Sequence, residues 1–384
     1  MNTLSENITQ AISDFNSIAQ AIREKGIDIP SNTPTSSYAG LIRNIKNQPV
    51  YGVSGLYQSS SELLRTDDAA ALGYSIDNTN GTVESDFDDL FPWSETEIVN
   101  DTAGKFVKFP RMYFRIGTDG QNRLTDIAVS KYPSGAGDWY AVEPFMYGCY
   151  GGSETDGKIV SVSGAVRKSN ESRASYRTKC FANGEDYFPI DLYHHTVLKF
   201  LWLIEFAEKD SKAIMKGRCQ SSSKCNTGGT DSLQTPSGFD PVTGQMRYHY
   251  IEDFVGNLRE YIDGVFAGGI GRTNYVTANP ADFTDSTARK STLCYTAPDA
   301  GCISAIGWDY QNPFLCMPHT SVENENYNTY FCCRTNNYDG NYPLLAAGLD
   351  YSSALQGFGL FRFNNFIPGG SSPTVGTRLL KKSS

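Results

Sequence analysis

One stretch of this sequence leaves little choice of structure. Leu192 to Met215 carries Leu198, Leu201, Trp202, Ile204, Phe206 and Ile214 at helical spacing, and Gly217 follows as a stop. The spacing predicts a long buried helix over 192–215. Around it, from about Pro133 onward, the chain is rich in Gly and Ser, and after Asn274 it reads as short strands and long loops. A buried helix in such surroundings is an α+β pattern. With 36 Gly, 23 Tyr and 21 Phe and only 20% charged residues, the loops belong to an ordered protein rather than a disordered one.

The N-terminal part is organised differently. Leu4, Ile8, Ala11, Phe15, Ile18 and Ile22 alternate spacings of four and three, which places them on one stripe at coiled-coil period, and Gly26 ends the pattern. So short a heptad run is marginal alone. It predicts self-association, most simply as a homotrimer, or docking on a larger assembly. Pro30 and Pro34 then break the chain, and Tyr38 to Ile45 has room for one short helix before Pro49. From Tyr51 to about Ser130 the signals are strand-like: Lys105–Phe109 and Arg111–Ile116 flank Pro110, with turn chemistry at Asp77–Gly81 and Thr118–Gly120. The expected division is an N-terminal helical attachment segment over 1–48, a small β-rich domain over 51–132, and a larger domain over 133–384.

Charge and cysteine content narrow the function classes. A net charge of -9 without Lys/Arg clusters argues against a nucleic-acid partner. No basic start with an apolar run marks a secretory signal, and no apolar run approaches the length for membrane insertion. The nine cysteines form no CxxC pair, so a reduced, cytoplasmically made protein is expected. Adjacent Cys332 and Cys333 are poorly placed to bridge to each other.

Several motifs resemble one family. Leu64–Ala70, Phe87-Asp88, Pro92-Trp93 and Phe109–Phe114, then Leu201–Ala207 with Asp210-Ser211, are similar to phage tail-fibre proteins. Gly256-Asn257-Leu258-Arg259-Glu260-Tyr261 resembles the GNVWEW box of C-type-lectin-like domains related to formylglycine-generating enzymes, and Val375–Leu380 resembles the terminal GFR strand of that fold. The resemblance covers most of 52–384. It is strongest to the phage major tropism determinant and other variable proteins of diversity-generating retroelements. Leu258 and Arg259 replace the Val-Trp of the box, and Thr377 replaces Phe in the closing motif, so no metal site is carried over from it.

The resemblance implies a C-type-lectin-like C-terminal domain that binds a bacterial cell-surface receptor, protein or glycan, as a homotrimer at the phage tail tip. It also implies other phage tail proteins as partners and a location in the virion after synthesis in the host cytoplasm. In such variable repeats mutable codons cannot encode Gln, Lys, Glu, Met or Trp. Between Thr329 and Leu380 the only one of these is Gln356, where the chain-wide rate would give roughly seven. The expected variable region is therefore 329–380.

In it or just before it, Tyr327, Asn336, Asn337, Tyr338, Asn341, Tyr342, Leu349, Asp350, Tyr351, Ser352 and Asn365 are the expected receptor-binding residues, with Phe358, Phe361 and Phe363 adding an apolar centre. Tyr gives rigid contact area with a polar tip, while Ser, Asn and Gly adapt their hydrogen bonds. No cofactor is expected, apart from a structural Ca²⁺ that the acidic residues Glu252, Asp253, Glu260 and Asp263 could hold; otherwise these form a solvated face. His194, His195, His249 and His319 are expected to be structural or surface residues. An enzyme is not expected. The alternatives are a structural tail or baseplate component, or a polysaccharide-degrading tail enzyme whose carboxylates would have to be Asp339 and Asp350.

Overall fold

A computed structural model describes residues 4–24, 29–30, 33–38, 48–58, 62–267, 273–286, 290–296, 301–322, 331–334, 344–348, 350–352, 361–362 and 369–383. The architecture is α+β, with four α-helices among the described residues and mostly antiparallel sheets.

The helix Leu192–Phe206 lies at the centre. Only Tyr193 and His194 of its fifteen residues escape full burial. It packs on the strands Tyr51–Ser54, Leu124–Ser130 and Arg259–Ala267. Asp191 caps it by accepting the His194 N–H at 2.8 Å. The expected helix over 192–215 is shorter than its spacing suggested. Ala207 turns into the left-handed region (φ 48°), and a separate turn Ser211–Ile214 starts on the Asp210 cap. Ile214 reaches the same core from that second element, so the apolar spacing runs on although the backbone does not.

A second helix, Arg173–Phe181, is capped by Ser172 and buries Arg173, Tyr176 and Cys180 on one face. Spacings of three and four are helical, but the buried side chains are not the aliphatic ones that announce a helix in sequence.

Five antiparallel strands run in the spatial order Leu64–Asp67, Tyr51–Ser54, Leu124–Ser130, Met112–Thr118, Trp139–Val142. A second five-stranded sheet joins Glu97–Asp101 and Gly104–Phe109 to Phe145–Gly148, Leu379–Lys382 and Tyr187–Pro189. In a third, the hairpin Tyr74–Asp77/Thr82–Ser85 pairs with Ser237–Phe239. Its turn needs Gly81, at φ 76°, because a Cβ there would lie 1.7 Å from the Phe239 carbonyl oxygen. Strands from 51–132 therefore share three sheets with strands from 133–384. One hydrophobic cluster, from Tyr51 to Leu380, also runs through both segments.

Among the described residues the largest sheet has nine strands. Arg259–Ala267 lies between Thr273–Val276 and Leu344–Ala347, and Val375–Gly376 pairs with it in parallel. The N-terminal helix spans Leu4–Glu24, as the heptad stripe predicts. Ile22 packs with Ala19, Ile29 and Tyr38, whereas Leu4, Ile8, Phe15 and Ile18 of the stripe stay exposed.

Candidate functional site

The two motifs that carry the family resemblance meet in space. Arg259 and Glu260 of the box lie opposite Val375 and Gly376 in parallel pairing. Glu260 then receives two guanidinium groups. Arg167 donates to it at 2.8 Å and Arg378 at 3.1 Å, both arginines being fully buried. Arg378 also donates to the carbonyls of Gly148 (2.9 Å) and Glu252 (2.7 Å). Burial opposes its charge, but Glu260 together with Tyr147 and Asp253 raises its pKa.

Asp253, at 3.6 Å from Arg167, accepts from Asn257 at 2.6 Å and Gln245 at 3.2 Å. Glu252 accepts the N–H groups of Gly228 (2.8 Å) and Thr230 (2.9 Å) and the Thr230 hydroxyl (2.9 Å). Burial and the neighbouring Asp253 carboxylate push Glu252 up to about 7. Asp263 belongs to another network, with Arg177 at 2.7 Å and, through Asp285, Arg173 at 3.1 Å. The expectation for the four acids is thus corrected. They are buried, not a solvated face, and do not converge on one cation. They divide between two networks whose positive charge comes from arginines. Arg167, Arg173, Arg177 and Arg378 carry no local sequence signal, because each meets its carboxylate more than eighty residues away.

This rigid base positions a turn. Asn257, in the left-handed region at φ 65°, accepts the Cys225 N–H with its side chain (2.8 Å) and the Tyr351 N–H with its carbonyl (3.0 Å). The Tyr351 carbonyl in turn accepts from the Ser221 N–H at 2.6 Å. Asp350 is buried, ion-paired with Arg259, and accepts the Ser352 N–H (2.9 Å) and hydroxyl (2.7 Å). Of the expected receptor-binding residues the turn brings together Asp350, Tyr351 and Ser352. Tyr351 is half-buried and Ser352 exposed.

Asp350 needs correction, since its carboxylate is spent on Arg259 and its own turn rather than presented at a surface. Phe361 lies in a short strand, Phe361–Arg362, between Leu344–Ala347 and Phe331–Arg334. Tyr327, Asn336, Asn337, Tyr338, Asn341, Tyr342, Leu349, Phe358, Phe363 and Asn365 lie outside the described residues, as does Asp339.

Trp202 is wholly enclosed and its ring packs at 4.6 Å from Phe206 and 5.0 Å from Tyr248. His194 and His195 point apart as neighbours on a helix must: His194 pairs with Asp191 at 2.8 Å, and His195 packs on Phe254. No helix among the described residues is long and apolar enough to cross a membrane. Cys149, Cys180 and Cys316 are buried free thiols, while free Cys294 is exposed.

No protein-family model matches the chain, and no curated protein matches it. Among solved structures it is similar to PvdO from Pseudomonas aeruginosa, at 11% identity and a TM-score of 0.28, over 75% of this chain and 98% of that one.

Proposed function

We propose that this chain is a phage tail-tip adhesin. A C-type-lectin-like scaffold holds a diversified C-terminal surface against a receptor on the bacterial cell. The observation that carries the proposal is the Asp350–Ser352 turn. It lies within the segment nearly devoid of Gln, Lys, Glu, Met and Trp, and is tied at Asn257 and Arg259 to the box that resembles lectin-like domains. A recognition surface gains affinity when its loops are ordered before binding, because the ordering entropy is not charged to the complex. The buried arginine–carboxylate base supplies such order and leaves Tyr351 and Ser352 accessible.

Trimerisation through the N-terminal stripe adds avidity. Three weak sites acting together exceed one site by orders of magnitude when their geometry permits simultaneous contact. The turn does not favour a polysaccharide hydrolase, since Asp350 is committed to Arg259. Antibodies raised against the purified chain test the proposal. They should block phage adsorption, as antibodies against a purely structural tail component would not; adsorption unaffected at saturating antibody would refute it.

A further inference from the structure

Away from that surface, three donors from distant elements meet in the core. Asp88 comes from the turn Asp86–Asp89, Glu205 from the end of the central helix, and His249 from the chain following strand Met246–Tyr248, at φ 42°. One ligand atom of each lies within 4.8 Å of the others. His249 Nε2 is 2.9 Å from Glu205 Oε2, and its Nδ1 is 3.8 Å from Asp88 Oδ1. Side-chain exposure is 0% for Glu205, 2% for His249 and 21% for Asp88, so the cluster is closed on the core side and reachable past Asp88.

Charge at this site does not balance. Two carboxylates flank one imidazole, leaving net negative charge even when the ring is protonated. Arg65, which faces Glu205, donates to the main-chain carbonyl of that residue (2.6 and 3.1 Å) instead of its carboxylate. The Tyr248 hydroxyl donates to Glu205 Oε2 at 3.0 Å. Glu205 Oε1 and Asp88 Oδ1 remain, both buried without a hydrogen-bond partner. Orphaned carboxylate oxygens in a core are costly unless something positive meets them.

We infer that Asp88, Glu205 and His249 form a site for a divalent first-row metal ion, with Zn²⁺ as its best-matched occupant. Mixed imidazole and carboxylate donors suit such an ion, whose ligands sit roughly 3.4 Å apart in a tetrahedral shell. One ligand atom from each residue already lies within 4.8 Å of the others, and because Glu205 and Asp88 approach different ring nitrogens of His249, only one nitrogen ligates and a carboxylate must turn toward it. Rotation of the part-exposed Asp88 side chain closes the set. The ion would tie the turn at 86–89 and the chain at 249 to the central helix.

The test uses the full chain, stripped with a chelator, incubated with Zn²⁺ alone, dialysed, and assayed for bound metal and for melting temperature. The wild type should retain close to one equivalent and melt higher with Zn²⁺ than with chelator. Asp88→Asn should retain a tenth of that or less and lose the Zn²⁺-dependent shift, while melting cooperatively in chelator. Wild-type protein that retains under a tenth of an equivalent overturns the site regardless of any variant. Equal retention by Asp88→Asn also overturns it. The trio would then be a hydrogen-bonded histidine–glutamate pair with Asp88 beside it.

Discussion

Asp350 shows how far a side chain's role depends on its burial. Its type and neighbourhood place it in a recognition loop or, in an enzyme, among the acids. In the folded chain it neutralises Arg259, and both are almost inaccessible. Removing one partner of such a pair leaves an uncompensated buried charge, so Asp350→Asn should destabilise the protein by about 3–5 kcal/mol in urea unfolding. Tyr351→Ala should instead weaken receptor binding by about 1–3 kcal/mol with little change in melting, measured by parallel cell-binding and thermal assays. The acids at 252, 253, 260 and 263 were legible as a cluster. Their pairing was not, since burial and long-range arginine partners are products of topology rather than of spacing.

At the scale of elements, periodicity located the N-terminal helix and the start of the central one, but not the break at Ala207. The core accepts Ile214 from a separate turn as readily as from a continuous helix, so the apolar pattern does not register the interruption. A glycine carries φ 48° without the Cβ penalty, and Ala207→Gly should raise stability by about 0.5–1 kcal/mol, measurable by denaturant titration.

The helix Arg173–Phe181 escaped notice because its buried face is Arg, Tyr and Cys. Its N-terminal approach carries a pH-sensitive contact. Glu171 accepts from Lys179 at 2.7 Å and from the Ser175 hydroxyl, which hold its carboxyl down at about 2. A depressed folded pKa gives stability that is present above the ordinary carboxylate value and lost as pH falls toward about 2. Glu171→Gln should cost about 1 kcal/mol or less at neutral pH, because solvent still screens this part-buried pair. It should also make the fall in stability between the ordinary value and pH 2 less steep.

At the scale of the whole molecule, the α+β class followed from one buried helix amid strands and loops. The division at residue 132 did not emerge in the sheets, because Phe145–Gly148 pairs with Gly104–Phe109 and Ser237–Phe239 with Thr82–Ser85. Strand partners so distant in sequence leave no local trace. The exposed stripe of Leu4, Ile8, Phe15 and Ile18 is where oligomerisation would act. Light scattering should report a trimer for the full chain and a smaller species for a chain lacking residues 1–48, with the melting of the larger unit retained. Binding of the purified full chain to intact host bacteria, in competition with phage adsorption, measures recognition itself. Saturable binding that lowers adsorption in proportion to occupancy, and that weakens on Tyr351→Ala without loss of folding, is the expected result; folded protein that neither binds the cells nor competes would contradict it.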